Sequence, residues 1–238
     1  MAFPVAIRTL VNPILPKRQH APMKPDLETA LHLLHSLRSG TLATRSIQLP
    51  DYPFPTALPF VPDEKHCPVF LLSRLAEHTK NIHSDPRVGF LVADTSEKQV
   101  LENPRMTLLG HIAMINAPHE LQARFLRYQP EAEQYMALAD FAFYRLTPQK
   151  IRHIGGFAQM GWLEQPDWEN VDVLPLEEET ALIQDLLGEL PPGVRLLGLD
   201  RYGMDMERLG KRERQKFPSM LHSADQIAAT VKRLLASL

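Results

Sequence analysis

Residues 25–40, PDLETALHLLHSLRSG, set Leu27, Ala30, Leu31, Leu34 and Leu37 on a helical period, with Gly40 where a C-cap belongs. Beyond Gly40 the period shortens. TLATRSI (41–47), FPTALPFVP (54–62), PVFLLS (68–73), RVGFLVAD (87–94), RMTLLGHIAMIN (105–116) and DFAFYRLTPQKIRHIGGF (140–157) read as strands. Phe54, Thr56, Leu58 and Phe60 alternate onto one face, whereas 68–73 is a continuous apolar run suited to a strand covered on both faces. Between the strands lie a short helix over 74–84, ended by SDP, and a helix opened by Pro118 that runs to about Leu138 with a break near Pro130. Parallel strands need long crossover helices, so helices this short favour antiparallel pairing and a small barrel.

From Glu164 the texture changes. EQPDWENVDVLPLEE is polar, acidic and contains proline, as a linker does. It leads into a helix over 177–190, a strand-like VRLLGLDRYGMDME, the basic KRERQKF and a final helix. Ser223 and Gln226 stand in capping-box spacing before that helix, and Ile227, Val231, Leu234 and Leu238 line one of its faces. The expected organisation is an N-terminal arm (1–24), a barrel domain (25–165) and a small α+β domain (176–238).

Composition narrows the function classes. Charged residues at 23% and hydrophobic residues at 44% are ordinary for a globular chain, and a net charge of −2 gives no general attraction to nucleic acid or anionic membranes. No apolar run approaches the roughly 20 residues of a spanning helix. Prolines 4, 13 and 16 interrupt the apolar part of the N-terminus, which does not read as a secretory signal. One cysteine, Cys67, excludes an intrachain disulfide and a cysteine-rich metal site, and a cytoplasmic protein is expected.

Candidate chemistry concentrates at strand ends. In VFLLSRLAEHTKN (69–81), Arg74, His78 and Asn81 fall at i, i+4 and i+7, one face of a helix whose N-terminus adjoins Ser73. Free backbone N–H groups, a positive dipole end and an arginine fork make an anion cradle. A capped surface helix with solvated charges accounts for the same residues, and both readings stand. In HIGGFAQMGW (153–162), Gly155 and Gly156 allow close backbone approach, and Phe157 and Trp162 offer flat rings; a strand exit with an aromatic plug is the alternative. No GxGxxG, HExxH or GxSxG pattern occurs, and His32 and His35, three apart on the first helix, form no ligand motif.

Taken in order, TLATRS…YPFPTALPF, LLSRLAEHTKNIHSDPRVGFLV, PRMTLLGHI, DFAFYRL and IGGFAQMGWL resemble the pyridoxamine 5′-phosphate oxidase-like, FMN-binding split-barrel superfamily. Within it they look closest to the heme-utilisation, HugZ-like branch, whose added C-terminal domain resembles the tail from LDRYGMDME onward. The resemblance implies a six-stranded antiparallel split β-barrel with a small C-terminal α+β domain, in a homodimer with ligand sites at the subunit interface. It implies FMN or heme as cofactor. By position it assigns ligand contacts to Ser73, Arg74, His78 and Thr79 at the strand-to-helix junction, to Arg105 and Thr107 on the neighbouring strand, and to Gly155, Gly156 and Phe157 beside the ring. Asp140 matches an acidic position near the heme pocket of heme-degrading relatives. Glu77–His78 replaces the basic pair of the vitamin B6 oxidases, which disfavours that activity. LEEETALI lacks the histidine expected at the start of the added domain, which leaves His222 or His153 for heme iron. Three functional readings follow: heme handling or oxidative heme degradation, a flavin-dependent oxidoreductase on another small substrate, and a non-enzymatic flavin or heme module.

Overall fold

The computed structural model describes residues 26–94, 102–155 and 160–238. The expected arm (1–24) lies outside them. Asp26 caps the first helix, α1 (Leu27–Ser36), by accepting from the backbone of Glu28 and Thr29. The helix stops at Leu37, three residues before Gly40. Gly40 is instead within strand β1 (Ser39–Arg45), where a Cβ would stand 2.5 Å from the Phe90 ring and 2.6 Å from the Leu91 carbonyl oxygen. Close packing between strands, not helix termination, explains this glycine.

Strands β2 (Pro53–Pro59), β3 (Val61–Pro62), β4 (Pro68–Ser73), β5 (Arg87–Ala93), β6 (Arg105–Ile115), β7 (Phe141–Ile154) and β8 (Met160–Glu164) complete the large sheet. Its order is β2-β1-β5-β6-β7-β4-β3, with β8 also on β7, and every pairing is antiparallel. The six longer strands form the expected split barrel; the 54–62 strand divides into β2 and β3, and β8 is an addition that the sequence pattern did not mark. Helix α2 (Glu77–Ser84) joins β4 to β5. The α3 (His119–Tyr128) and α4 (Glu133–Met136) helices join β6 to β7, with the expected break at Pro130. Alternation puts Leu42, Phe60, Phe70, Phe90, Met106, Leu108, Tyr144 and Ile151 into one core together with Leu31 and Leu34 of α1.

The segment after β8 does not run free. Gln165–Glu169 forms a short helix, α5, and Trp168 and Val171 enter the barrel core while Leu174 enters the next one. Three apolar side chains anchor what the polar composition presented as a linker. Beyond it come α6 (Leu176–Leu186), the sheet β9 (Val194–Leu199), β10 (Gly203–Arg208) and β11 (Lys211–Lys216), and α7 (Ala224–Leu235). The strand-like VRLLGLDRYGMDME is a hairpin, because Asp200 turns the chain by accepting from the backbone N–H groups of Tyr202 and Gly203. Ser223 caps α7 through the N–H of Gln226, but the Gln226 side chain accepts from His222, one residue short of a capping box. A third apolar cluster, with Val69, Phe125 and Tyr128 on one side and Leu176 and Leu197 on the other, packs the second sheet against the barrel.

Candidate functional site

At the end of β4 the chain leaves the sheet before α2 begins. Because α2 starts at Glu77, Arg74 is not on the helix and does not share a face with His78 and Asn81. Asn81 is buried, donating to Thr44 Oγ1 at 3.0 Å and accepting from the Ile47 N–H at 3.0 Å, so its role is to tie α2 to β1. Ser73 Oγ donates to Asp140 Oδ2 at 2.6 Å and accepts from the Leu75 N–H. The Arg74 backbone N–H donates to the Asp140 carbonyl at 2.7 Å, and its guanidinium to the Ala139 carbonyl. Ser73, Arg74 and Asp140 therefore form one corner. His78 is half-buried, with burial lowering its pKa; Thr79 is fully buried, and its hydroxyl has no partner. No side chain caps the α2 N-terminus. Nearby, Tyr144 presents its hydroxyl 2.9 Å from His83 Nε2.

Arg105 and Thr107 lie elsewhere. They point to the outer face of the large sheet, where Leu91 pairs with Thr107, Thr107 with Arg152 and Arg152 with Trp162. Leu109 pairs with Lys150 on the same face, and His111 follows two residues on. Leu91, Leu109, Met160 and Trp162 are each at least two-fifths exposed, at 40%, 41%, 47% and 43%. Lys150 and Arg152 stack over the Trp162 ring at 5.2 and 5.3 Å from its centroid. The result is an exposed face with Leu91 and Leu109 on one side, Trp162 on the other, and Thr107, Lys150 and Arg152 between them. Gly155 follows β7 at this end; Gly156 and Phe157 lie outside the described residues.

The two groups sit at opposite ends of β7. Ser73 pairs with Phe141 and Arg105 with Ile154, thirteen residues apart by 154 − 141, or roughly 40 Å of strand contour. A single chain does not bring them together. Nor does it unite the two histidines considered for iron. His153 points inward between Met106 and Gly161 and is buried, which lowers its pKa, while His222 is exposed just before α7.

A buried polar cluster went unrecognised in the sequence. His35 Nδ1 is 2.7 Å from Asp205 Oδ2, and its Nε2 is 2.8 Å from His66 Nδ1. Arg214 donates to Asp205 at 2.7 Å, to Asp200 at 2.9 Å and to His32 Nδ1 at 2.8 Å. Burial holds the His66 imidazole at a pKa of about 3 and that of His32 at about 4. Burial, the largest single influence, would raise the Asp200 carboxyl, but Arg214 together with His35 and His66 outweighs it and leaves the group at about 2. The available signals were the two histidines on the buried side of α1 and two aspartates within an otherwise apolar hairpin. Each is unremarkable until the fold brings them together.

Comparison with known proteins places this geometry among relatives. A family model described as CREG, beta-barrel matches residues 22–170. The chloroplastic non-canonical heme oxygenase HOZ of Arabidopsis thaliana is 25% identical over 190 residues, covering 71% of this chain and 58% of that protein. The chain thus spans less than two thirds of that relative's length. A heme binding protein from Mycobacterium smegmatis superposes with a TM-score of 0.56 at 25% identity, covering 88% of this chain and 95% of that one. A protein of unknown function from Agrobacterium tumefaciens matches at a TM-score of 0.69 and 22% identity over 96% of this chain and all of that one, so its fold extends through the C-terminal sheet.

Proposed function

The chain belongs to the CREG β-barrel family, and on that premise we propose that it is a heme-binding protein of heme utilisation, working as a homodimer with its ligand at the interface. The observation that carries this reading is the exposed sheet face. A porphyrin is a flat apolar ring with carboxylates at its edge; Leu91 and Leu109 offer exposed apolar contact, and Lys150 and Arg152, between them and Trp162, offer cations for the carboxylates. His111, the histidine on that face among the described residues of these strands, supplies an imidazole for iron. Two relatives named for heme, one found by sequence and one by structure, support the same assignment. Exposed apolar side chains across several adjacent strands also suit burial against a second copy. The barrel (25–165) then carries the ligand and the α+β unit (176–238) braces it. A cytoplasmic setting belongs to this reading.

Bound heme would supply the oxygen chemistry, and the protein the sheet face, the cations and the exclusion of water. In a two-chain site, Asp140 approaches the ligand from the partner's α2 corner. The flavin reading keeps one supporting observation: the uncapped N-terminus of α2 beside the exposed Arg74, a place for a phosphate. Against it, the Ser73 hydroxyl and the Arg74 guanidinium are already taken by Asp140 and Ala139, and the Asp140 carboxylate would repel a phosphate.

Titration of the purified chain with hemin and, separately, with FMN distinguishes the readings. A Soret band saturating at one heme per chain at micromolar concentration is expected, weakened about tenfold or more by Trp162→Ala and lost in ferric ligation spectra of His111→Ala. Reductant and oxygen added to the loaded protein test degradation, which Asp140→Asn should slow while leaving binding intact. Saturable FMN binding with no response to hemin overturns the heme assignment.

A further inference from the structure

The buried histidine cluster has no part in the heme reading, and it joins three separate stretches of chain. His35 comes from the last turn of α1, His66 from the turn between β3 and β4, and Asp200 from the turn between β9 and β10. All three are buried, and one ligand atom from each lies within 4.8 Å of the other two. His35 Nε2 is 2.8 Å from His66 Nδ1, and His35 Nδ1 is 3.6 Å from Asp200 Oδ2. A tetrahedral ion with bonds of about 2.0–2.1 Å separates its ligand atoms by about 3.3 Å, so to seat one on His35 Nε2 the two imidazole nitrogens must part by roughly half an ångström and the Asp200 carboxylate, now 3.6 Å from the other nitrogen of the His35 ring, must draw in to that spacing. We propose that His35, His66 and Asp200 bind a divalent transition-metal ion of the zinc class, which pins α1 and the β3–β4 turn of the barrel to the C-terminal sheet.

Three observations support this site. Asp205 accepts from His35 Nδ1 at 2.7 Å, the carboxylate–histidine arrangement that fixes a ligand's tautomer and turns the lone pair of Nε2 toward His66. His66 sits in the left-handed region at a φ of 57°, a strained choice for histidine. Asp63 holds it there by accepting from the N–H groups of Lys65, His66 and Cys67. Asp200 is fixed in turn by the Tyr202 and Gly203 N–H groups.

Charge is consistent with a cation. Among the groups bonded to these ligands, two carboxylates, Asp200 and Asp205, face one guanidinium, Arg214. The other arginines nearby are engaged elsewhere: Arg124 and Arg127 with Glu179, and Arg212 with the carbonyls of Leu37 and Tyr128. Zinc-class ions accept such imidazole and carboxylate donors.

Elemental analysis of the full chain purified without chelator should find about one such ion per chain. After stripping, titration with Co2+ should give tetrahedral visible absorption, and Zn2+ should raise Tm. His66→Gln should weaken Zn2+ binding at least about 100-fold, and Asp205→Asn, which keeps all three ligands, about 10–100-fold. His119→Ala, an exposed histidine elsewhere, should change nothing. The Co2+ spectrum of the unaltered chain needs no variant to fold. A stripped chain whose spectrum and Tm ignore both ions, or a His66→Gln chain that binds as tightly as its parent, overturns the site and leaves a hydrogen-bonded network alone.

Discussion

Arg124 shows how much a single buried charge can demand of a fold. Its Nε donates to the Pro62 carbonyl at 2.9 Å, its Nη1 contacts Glu179, and its guanidinium lies 5.2 Å from the Tyr128 ring centroid. Glu179 also accepts from the Leu199 N–H at 2.8 Å. Barrel edge, α3, α6 and β9 therefore meet on one fully buried ion pair. The pair itself adds little net stability, because desolvating both charges offsets their attraction, but removing one partner strands the other. Arg124→Met should cost about 3–5 kcal/mol in urea unfolding, and adding Glu179→Leu should recover much of it. A single-variant loss below about 1 kcal/mol would show that Arg127, 3.3 Å from the second Glu179 oxygen, satisfies the carboxylate unaided. No sequence period announces this pair, since the two residues are 55 positions apart and each occurs in a helix where a solvated charge is the ordinary explanation.

At the scale of elements the sequence was far more legible. Strands β4, β5 and β6 fall within a residue or two of their apolar patterns, because alternation and continuous apolar runs report burial directly. Boundaries set by contacts distant in sequence were not legible. Gly40 resembled a helix cap because glycine serves both roles, and only the register of β1 against β5 shows the Phe90 ring filling the space above it. Arg74 looked helical because Ser73–Leu75 is a turn whose hydrogen bonds run to Asp140, 67 residues from Ser73. Gly40→Ala tests the packing account: a Cβ 2.6 Å from a backbone oxygen cannot be relieved by a rotamer change, so β1 must shift. The expected loss is about 1–3 kcal/mol with the fold retained, read by thermal or urea unfolding. A neutral or stabilising result, as substitution at an unconstrained glycine would give, would refute it.

The whole molecule poses the question that no residue or strand answers: how two sets of candidate residues at opposite ends of β7 could serve one ligand. Within a chain, Ser73, Arg74 and Asp140 lie at the Phe141 end, and Arg105 and Thr107 near the Ile154 end. In the proposed homodimer, a two-fold axis through the outer sheet face would resolve the conflict, because it would carry one end of each chain toward the other end of its partner. Each of the two proposed sites would then take its sheet face from one protomer and its Arg74 corner from the other. Complementation tests this directly. Arg74→Ala and Arg105→Ala homodimers each have both sites damaged, whereas a mixed dimer has one intact site and one doubly altered site. Random re-pairing of equal amounts makes half the dimers mixed, so about a quarter of all sites should regain heme binding at a concentration where neither parent binds. If the mixture binds no more than the mean of its parents, each chain holds its own complete site, and the division of the site between protomers is wrong.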